Sequence, residues 1–318
     1  HRMDSVEGQA MVVTTDRTRL SRASFLDGRE TYWIRDRLIP LDLQPSGERA
    51  ARRYIFHVGF CGSTLLARLI DQPGRTIVLK EPQCLTDIAG QRALIESGQA
   101  IGPLAALLDH ANGQVGAVGG SEMSVVVKPT NWVNLLLPEL CLPAHISHAL
   151  FISIKRRSFL TAAIRGGRDR LAFCARLAAE VAPVLEGGNA CLRDAITETD
   201  EPLDRATLIV ALLHAMQERL FNQVIAANKW SADVKVDFSD IIGHPDETTA
   251  HARKILGLPA EPPEPGRAAL LMQRHTKDPS AAFSLADRAK EDSIVEREHG
   301  RRMQWAIDWV EAKQTQLG

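Results

Sequence analysis

The sequence predicts an α/β domain, with a central, mainly parallel sheet between two layers of helices and extra helices added to that frame. Three observations predict it. Five short apolar runs recur along the chain: Tyr54-Ile55-Phe56-His57-Val58, Thr76-Ile77-Val78-Leu79, Ser124-Val125-Val126-Val127, Ala149-Leu150-Phe151-Ile152-Ser153-Ile154 and Ala232-Asp233-Val234-Lys235-Val236-Asp237. Near-continuous apolarity is what a strand needs when helices cover both of its faces. Helix-length segments separate the runs, the alternation that a parallel sheet with crossover helices requires. Finally, 45% hydrophobic and 24% charged residues in 318 are ordinary for a chain that can bury such a core.

The elements follow in order. Residues 1–50 read as an extended flap or hairpin packed on the core, with Met11-Val12-Val13-Thr14-Thr15 and Thr31-Tyr32-Trp33-Ile34 as strands on either side of Asp27-Gly28. Residues 51–318 form the main domain. Its helices are expected at about 63–71, 84–97, 101–111, 131–137, 158–166, 169–185 and 203–229. Glu261-Pro262-Pro263-Glu264-Pro265-Gly266 stops any helix, because proline lacks the amide donor. A polar loop and a helix over about 284–313 then read as an appendage, since roughly 50 residues rarely sustain a core of their own.

Composition narrows the function classes. A net charge of −1 and a pI near 6.9 give no global attraction to nucleic acid or to an anionic membrane, so any basic site must be local. The most apolar long segment, Leu135 to Ile154, is interrupted by Pro138, Glu139, Pro143, His145 and His148, which argues against a membrane span. Cys61, Cys84, Cys141, Cys174 and Cys191 are odd in number and include no C-x-x-C pair. Neither a disulfide framework nor a zinc site is expected, and a reducing, cytoplasmic compartment is the simplest reading.

The first core run leads straight into Gly59-Phe60-Cys61-Gly62-Ser63-Thr64-Leu65 and an amphipathic helix. The first N–H groups of a helix lack intrahelical partners, and its dipole favours negative charge. Glycines let a phosphate approach the backbone, and Ser63 and Thr64 can add hydroxyl hydrogen bonds or cap the helix. A tight strand-to-helix turn with no ligand uses the same residues. The string is not a Walker A loop, since Gly62 stands where that motif has lysine, which disfavours ordinary nucleoside-triphosphate hydrolysis. A phosphate-loop version of the α/β frame is the expectation.

Three further strand ends carry charge: Leu79-Lys80-Glu81-Pro82, Val127-Lys128-Pro129-Thr130 and Ile154-Lys155-Arg156-Arg157-Ser158. Open parallel sheets bind ligands at the carboxyl ends of their strands. Lys80-Glu81 can also be read as a strand-end ion pair of little energetic value. Arg156 and Arg157 at a helix start oppose the dipole, which makes sense if an anion sits there. Arg165, Arg168, Arg170 and Arg176 read as a solvent-facing helix surface. Residues 166–260 carry no legible motif.

Taken together, these segments resemble the sulfotransferases that use 3′-phosphoadenosine 5′-phosphosulfate (PAPS). In that family a strand enters a loop like P-[KR]-S-G-T-T-[WL]-L, which holds the 5′-phosphosulfate. The match is good over Gly62-Ser63-Thr64-Leu65-Leu66 and departs at Phe60, where the family has a cation, and at Gly59, where it has proline. The resemblance implies transfer of a sulfuryl group from PAPS to a hydroxyl or amine of a small-molecule or glycan acceptor, without a metal. It implies Gly59, Phe60, Cys61, Gly62, Ser63, Thr64 and Leu65 as the 5′-phosphosulfate loop and Glu81 as the general base. Lys80 or Lys128 would supply the cation absent from position 60. Arg156 or Arg157 with Thr161 would hold the 3′-phosphate, although the family's R-x7-S spacing is not kept. Arg274 and Lys277 would close over it from Gln273-Arg274-His275-Thr276-Lys277-Asp278-Pro279. The acceptor pocket would draw on residues 166–260 and the N-terminal flap. The other readings are a small-molecule kinase with a phosphate loop and a non-catalytic nucleotide-binding protein.

Overall fold

The chain opens on three strands, β1 (Arg2–Asp4), β2 (Gln9–Thr14) and β3 (Arg35–Pro40), joined as one antiparallel sheet in the order β1-β2-β3. The computed structural model describes residues 1–43, 52–120, 123–260, 266–272, 274–275, 278–282 and 285–317. The N-terminal hairpin is therefore larger than the sequence suggested, and its strands are placed differently. Thr31 to Ile34 is not a strand; β3 begins at Arg35 and pairs with β2 from Thr14↔Arg35 to Gln9↔Pro40. The reason is visible in β3 itself. Arg35-Asp36-Arg37-Leu38 is exposed along an edge, so no apolar alternation marks it. Tyr32 spends its hydrophobicity in the core outside any strand.

All five apolar runs form strands: β4 (Arg53–His57), β5 (Thr76–Lys80), β6 (Ser124–Lys128), β7 (His148–Ser153) and β8 (Lys235–Asp237). They make one parallel sheet in the order β5-β6-β4-β7-β8. β8 is shorter than expected, because Ala232–Val234 winds into a 3-10 turn and only three residues reach the edge of β7. β4, β5, β6 and β7 are buried over nearly their whole lengths, as a sheet covered on both faces requires.

Helices form the two outer layers. Ser63–Ile70 packs with Pro245–Ile255 on one side of the sheet. On the other side, Leu104–Gly116, Leu137–Leu140 and Pro202–Ala227 pack in series. The last of these carries Arg156–Arg165, Gly167–Val181 and the C-terminal helix Leu285–Ala312. The molecule is thus a three-layer α/β/α structure. Short helices at Gly188–Thr197, Phe238–Gly243 and Arg267–Met272 lie where sequence periodicity gave no signal.

This order puts β4 at a switch point. The chain leaves β4 toward β5 on one side, returns through β6, then crosses to β7 on the other. Crossovers depart on opposite sides of the sheet there, leaving a crevice outside the carboxyl end of β4.

Candidate functional site

A cavity of about 770 Å³ occupies that crevice. Its floor is the loop after β4. Two buried amides hold the Val58 carbonyl, Asn131 Nδ2 at 3.1 Å and Gln217 Nε2 at 3.1 Å. Asn134 Nδ2 donates to the His57 carbonyl at 3.0 Å and to Gln217 Oε1 at 2.8 Å. The loop is fixed before any ligand arrives, by polar groups whose burial would be costly unless each were paired.

Within the loop, Gly59, Phe60 and Gly62 have φ of 96°, 57° and 71°. Gly62 is the N-cap of the Ser63–Ile70 helix and offers no side chain to it. A Cβ at Gly62 would lie 2.9 Å from Phe238 Cδ2 and would also strain the backbone. Ser63 and Thr64 line the cavity yet are only 6% and 5% exposed. Neither hydroxyl makes a hydrogen bond among the described residues. Two such donors, open to the cavity at the first turn of a helix, are suited to an anion's oxygens. Burial pushes the Cys61 thiol up to about 11, so it stays neutral.

The tips of β5 and β6 supply charge. Glu81 has φ of 57°, and its amide donates to the Lys128 carbonyl at 2.7 Å. Lys128 Nζ donates to Glu81 Oε1 at 2.6 Å, and Arg29 donates to Glu81 Oε2 at 2.9 Å. Both Glu81 and Lys128 line the cavity. Among the described residues, three non-glycine residues have positive φ, and two of them, Phe60 and Glu81, lie in this cavity. Such conformations cost about 1–3 kcal/mol each and persist where surrounding structure enforces them, often at functional sites.

Lys80 does not join them. It pairs in register with Lys128 on the neighbouring strand, but its amine donates to the Ser21 carbonyl at 3.1 Å. It is 1% exposed and outside the cavity. Burial first, opposed by the Asp71 charge, lowers its pKa to about 8. The expectation that Lys80 serves the site is therefore corrected: the N-terminal segment covers it.

Arg156, Arg157 and Thr161 are also elsewhere. Arg157 meets Glu296 at 2.7 Å and Gln304 at 2.9 Å, Thr161 donates to Glu296 at 3.1 Å, and Arg156 lies 3.8 Å from Glu311. The C-terminal helix carries those acceptors, so its docking engages the cations that the sequence offered to a ligand, although Arg156 Nε is buried without a hydrogen-bond partner among the described residues. Arg274 lies in a two-stranded pair formed by Arg274–His275 and Asp278–Ala282, and Lys277 lies outside the described residues.

In their place the cavity wall holds Arg165, Arg170 and Arg288. Arg168 and Arg176 do face solvent as expected, but Arg165 and Arg170 do not. The signal was present at Gly166-Gly167, which ends one helix and starts the next, so these arginines straddle a corner rather than share one face. Asp27 and Arg29 line the cavity too, brought there by hydrogen bonds from Leu26 N to the Lys80 carbonyl at 2.8 Å and from Gln83 N to the Leu26 carbonyl at 3.1 Å.

Compared with known proteins, the chain matches no family model, no curated protein and no solved structure. The chemistry must be read from the cavity. It combines a helix N-terminus with hydroxyls unengaged among the described residues, a carboxylate held between two cations, and a guanidinium-rich wall. That set can bind a doubly anionic ligand and move a proton beside it. Among the described residues no helix is long and apolar enough to cross a membrane.

Proposed function

We propose that the loop after β4 is a phosphate loop and that the protein is a sulfotransferase using PAPS as donor. The observation that carries this reading is the convergence in one cavity of Ser63 and Thr64, whose hydroxyls are unengaged among the described residues, and the Lys128–Glu81 pair. The loop would hold the 5′-phosphosulfate, and the arginine wall would hold the donor's second phosphate. An acceptor hydroxyl would attack sulfur in line with the bridging oxygen. Its oxygen bonds to sulfur as its proton passes to Glu81. The sulfur–oxygen bond to the phosphate breaks, and the electron pair stays on the departing adenosine 3′,5′-bisphosphate. Lys128 and the helix N-terminus stabilise the charge that develops there.

Lys128 takes over part of the task that the resemblance gives to a loop cation. Arg29, half-exposed, is the Glu81 partner that an arriving acceptor can displace. Lys128, 1% exposed, stays.

The test is thermal melting with adenosine 3′,5′-bisphosphate. Stabilisation is expected that grows with the logarithm of one plus the ratio of ligand concentration to Kd. No shift at millimolar ligand overturns the reading. Binding without sulfuryl transfer to any hydroxyl or amine acceptor would leave a non-catalytic nucleotide-binding protein.

A further inference from the structure

Of the three arginines on the cavity wall, Arg170 has the least complete surroundings. Its neighbours on the wall have carboxylates: Arg165 meets Asp292 and lies 3.7 Å from Glu291, and Arg288 lies 3.8 Å from Asp292. Arg170 meets none among the described residues. Its Nη1 donates to the Ala162 carbonyl at 2.6 Å, near the end of the Arg156–Arg165 helix, and the guanidinium carbon sits 4.9 Å above the centre of the Phe60 ring. Half-buried and beside other cations, it bears a real electrostatic cost, and burial followed by the Arg165 charge lowers its pKa.

Three features nevertheless hold it in place. The Ala162 carbonyl fixes one nitrogen. Phe60, itself tilted against Phe159 with centroids 5.2 Å apart, gives the guanidinium a flat surface. Gly166 leaves the groove through which the side chain runs, since a Cβ there would collide with Arg170 Nε, Cδ and Cζ. Gly166 has an ordinary helical φ of −75°, so space for this side chain, and not backbone freedom, is what its missing Cβ provides.

We infer that Arg170 is an anion-binding residue of the cavity, seated by Phe60, Gly166 and Ala162 so that its free N–H groups face a phosphate or sulfate held at the loop. Phe60 then acts through Arg170: a loop position without charge carries a cation brought in from the Gly167–Val181 helix. The inference extends the proposed donor site and rests on that reading for the donor's identity, but not for the presence of an anion.

The experiment titrates wild type, R170A, R170K, G166A and R176A with adenosine 3′,5′-bisphosphate and, separately, with inorganic pyrophosphate, at low and high salt. Loss of a charge-assisted hydrogen bond predicts roughly 10- to 100-fold weaker binding of either anion by R170A. Its affinity should also fall less steeply with salt than that of wild type. G166A should weaken binding in the same direction, because it displaces the guanidinium without removing it. R170K should fall between, and the exposed control R176A should match wild type. Should R170A fail to fold, G166A and R170K carry the comparison. If pyrophosphate binds in an Arg170-dependent way while the nucleotide does not bind, the donor reading fails and the Arg170 assignment stands. The assignment is overturned if these variants leave unchanged the affinity for every anion that wild type binds, or if wild type binds neither probe.

Discussion

Glu81 occupies a left-handed backbone position, and each of its carboxylate oxygens faces a cation. A carboxylate fixed this way is placed for one proton, at one point beside the loop. On the proposed function, Glu81→Gln keeps the shape and removes the base, so sulfuryl transfer should drop about 10²- to 10⁴-fold with donor affinity nearly unchanged. An equal loss in donor affinity would make Glu81 a binding residue instead. On the proposed function, Ser63→Ala and Thr64→Ala act on the other term, since each removes a hydroxyl that makes no hydrogen bond among the described residues. Each should weaken adenosine 3′,5′-bisphosphate by roughly 5- to 10-fold in calorimetry and leave the unliganded melting temperature where it was. At this scale the sequence was legible where chemistry is local. Gly62-Ser63-Thr64, Glu81 and Lys128 stand at strand ends, and strand ends converge. It was illegible for Lys80, whose side chain turns toward Ser21 at the tip of the same strand, a direction set by the N-terminal segment packed over it.

Among the elements, the Ser63–Ile70 helix has a demanding start. Its N-cap has φ of 71° and lies against Phe238, so Gly62→Ala should cost about 1–3 kcal/mol in urea unfolding, more than an alanine at Gly243, where nothing lies within 4 Å. Equal costs would show that the loop tolerates other geometries. The five strands were legible because burial on both faces forces apolarity, a property of each strand alone. The arginine assignments were not, because they depend on which helix packs against which. Arg156, Arg157 and Thr161 turn to Glu296, Gln304 and Glu311 on the Leu285–Ala312 helix, more than a hundred residues away in sequence. Arg165 and Arg170 reach the cavity because the chain turns a corner at Gly166. No periodicity in one segment records such a docking.

Across the whole molecule, the interior sets a pH limit. His214 is buried beside Phe159, with Nε2 2.7 Å from the Ile154 carbonyl. Burial lowers its pKa from 6.5 to about 4, against the opposing charge of Glu218. Between those values the unfolded chain binds a proton that the folded chain resists, so stability must fall as pH drops through this window. His214→Gln keeps a donor for Ile154 and titrates nowhere in the range. Its urea midpoint should therefore change less than that of wild type between pH 7 and about pH 5. Equal changes would place the acid sensitivity in other groups. On the proposed function the cavity receives anions at two walls, the loop floor at Ser63 and Thr64 and the side lined by Arg165, Arg170 and Arg288. The most direct measurement is a calorimetric comparison of adenosine 3′,5′-bisphosphate, AMP and magnesium ATP on the full chain. The account predicts that adenosine 3′,5′-bisphosphate binds about 10-fold or more tightly than AMP, because only it presents an anion to both walls. Tightest binding of magnesium ATP, or equal affinity for all three, would contradict it.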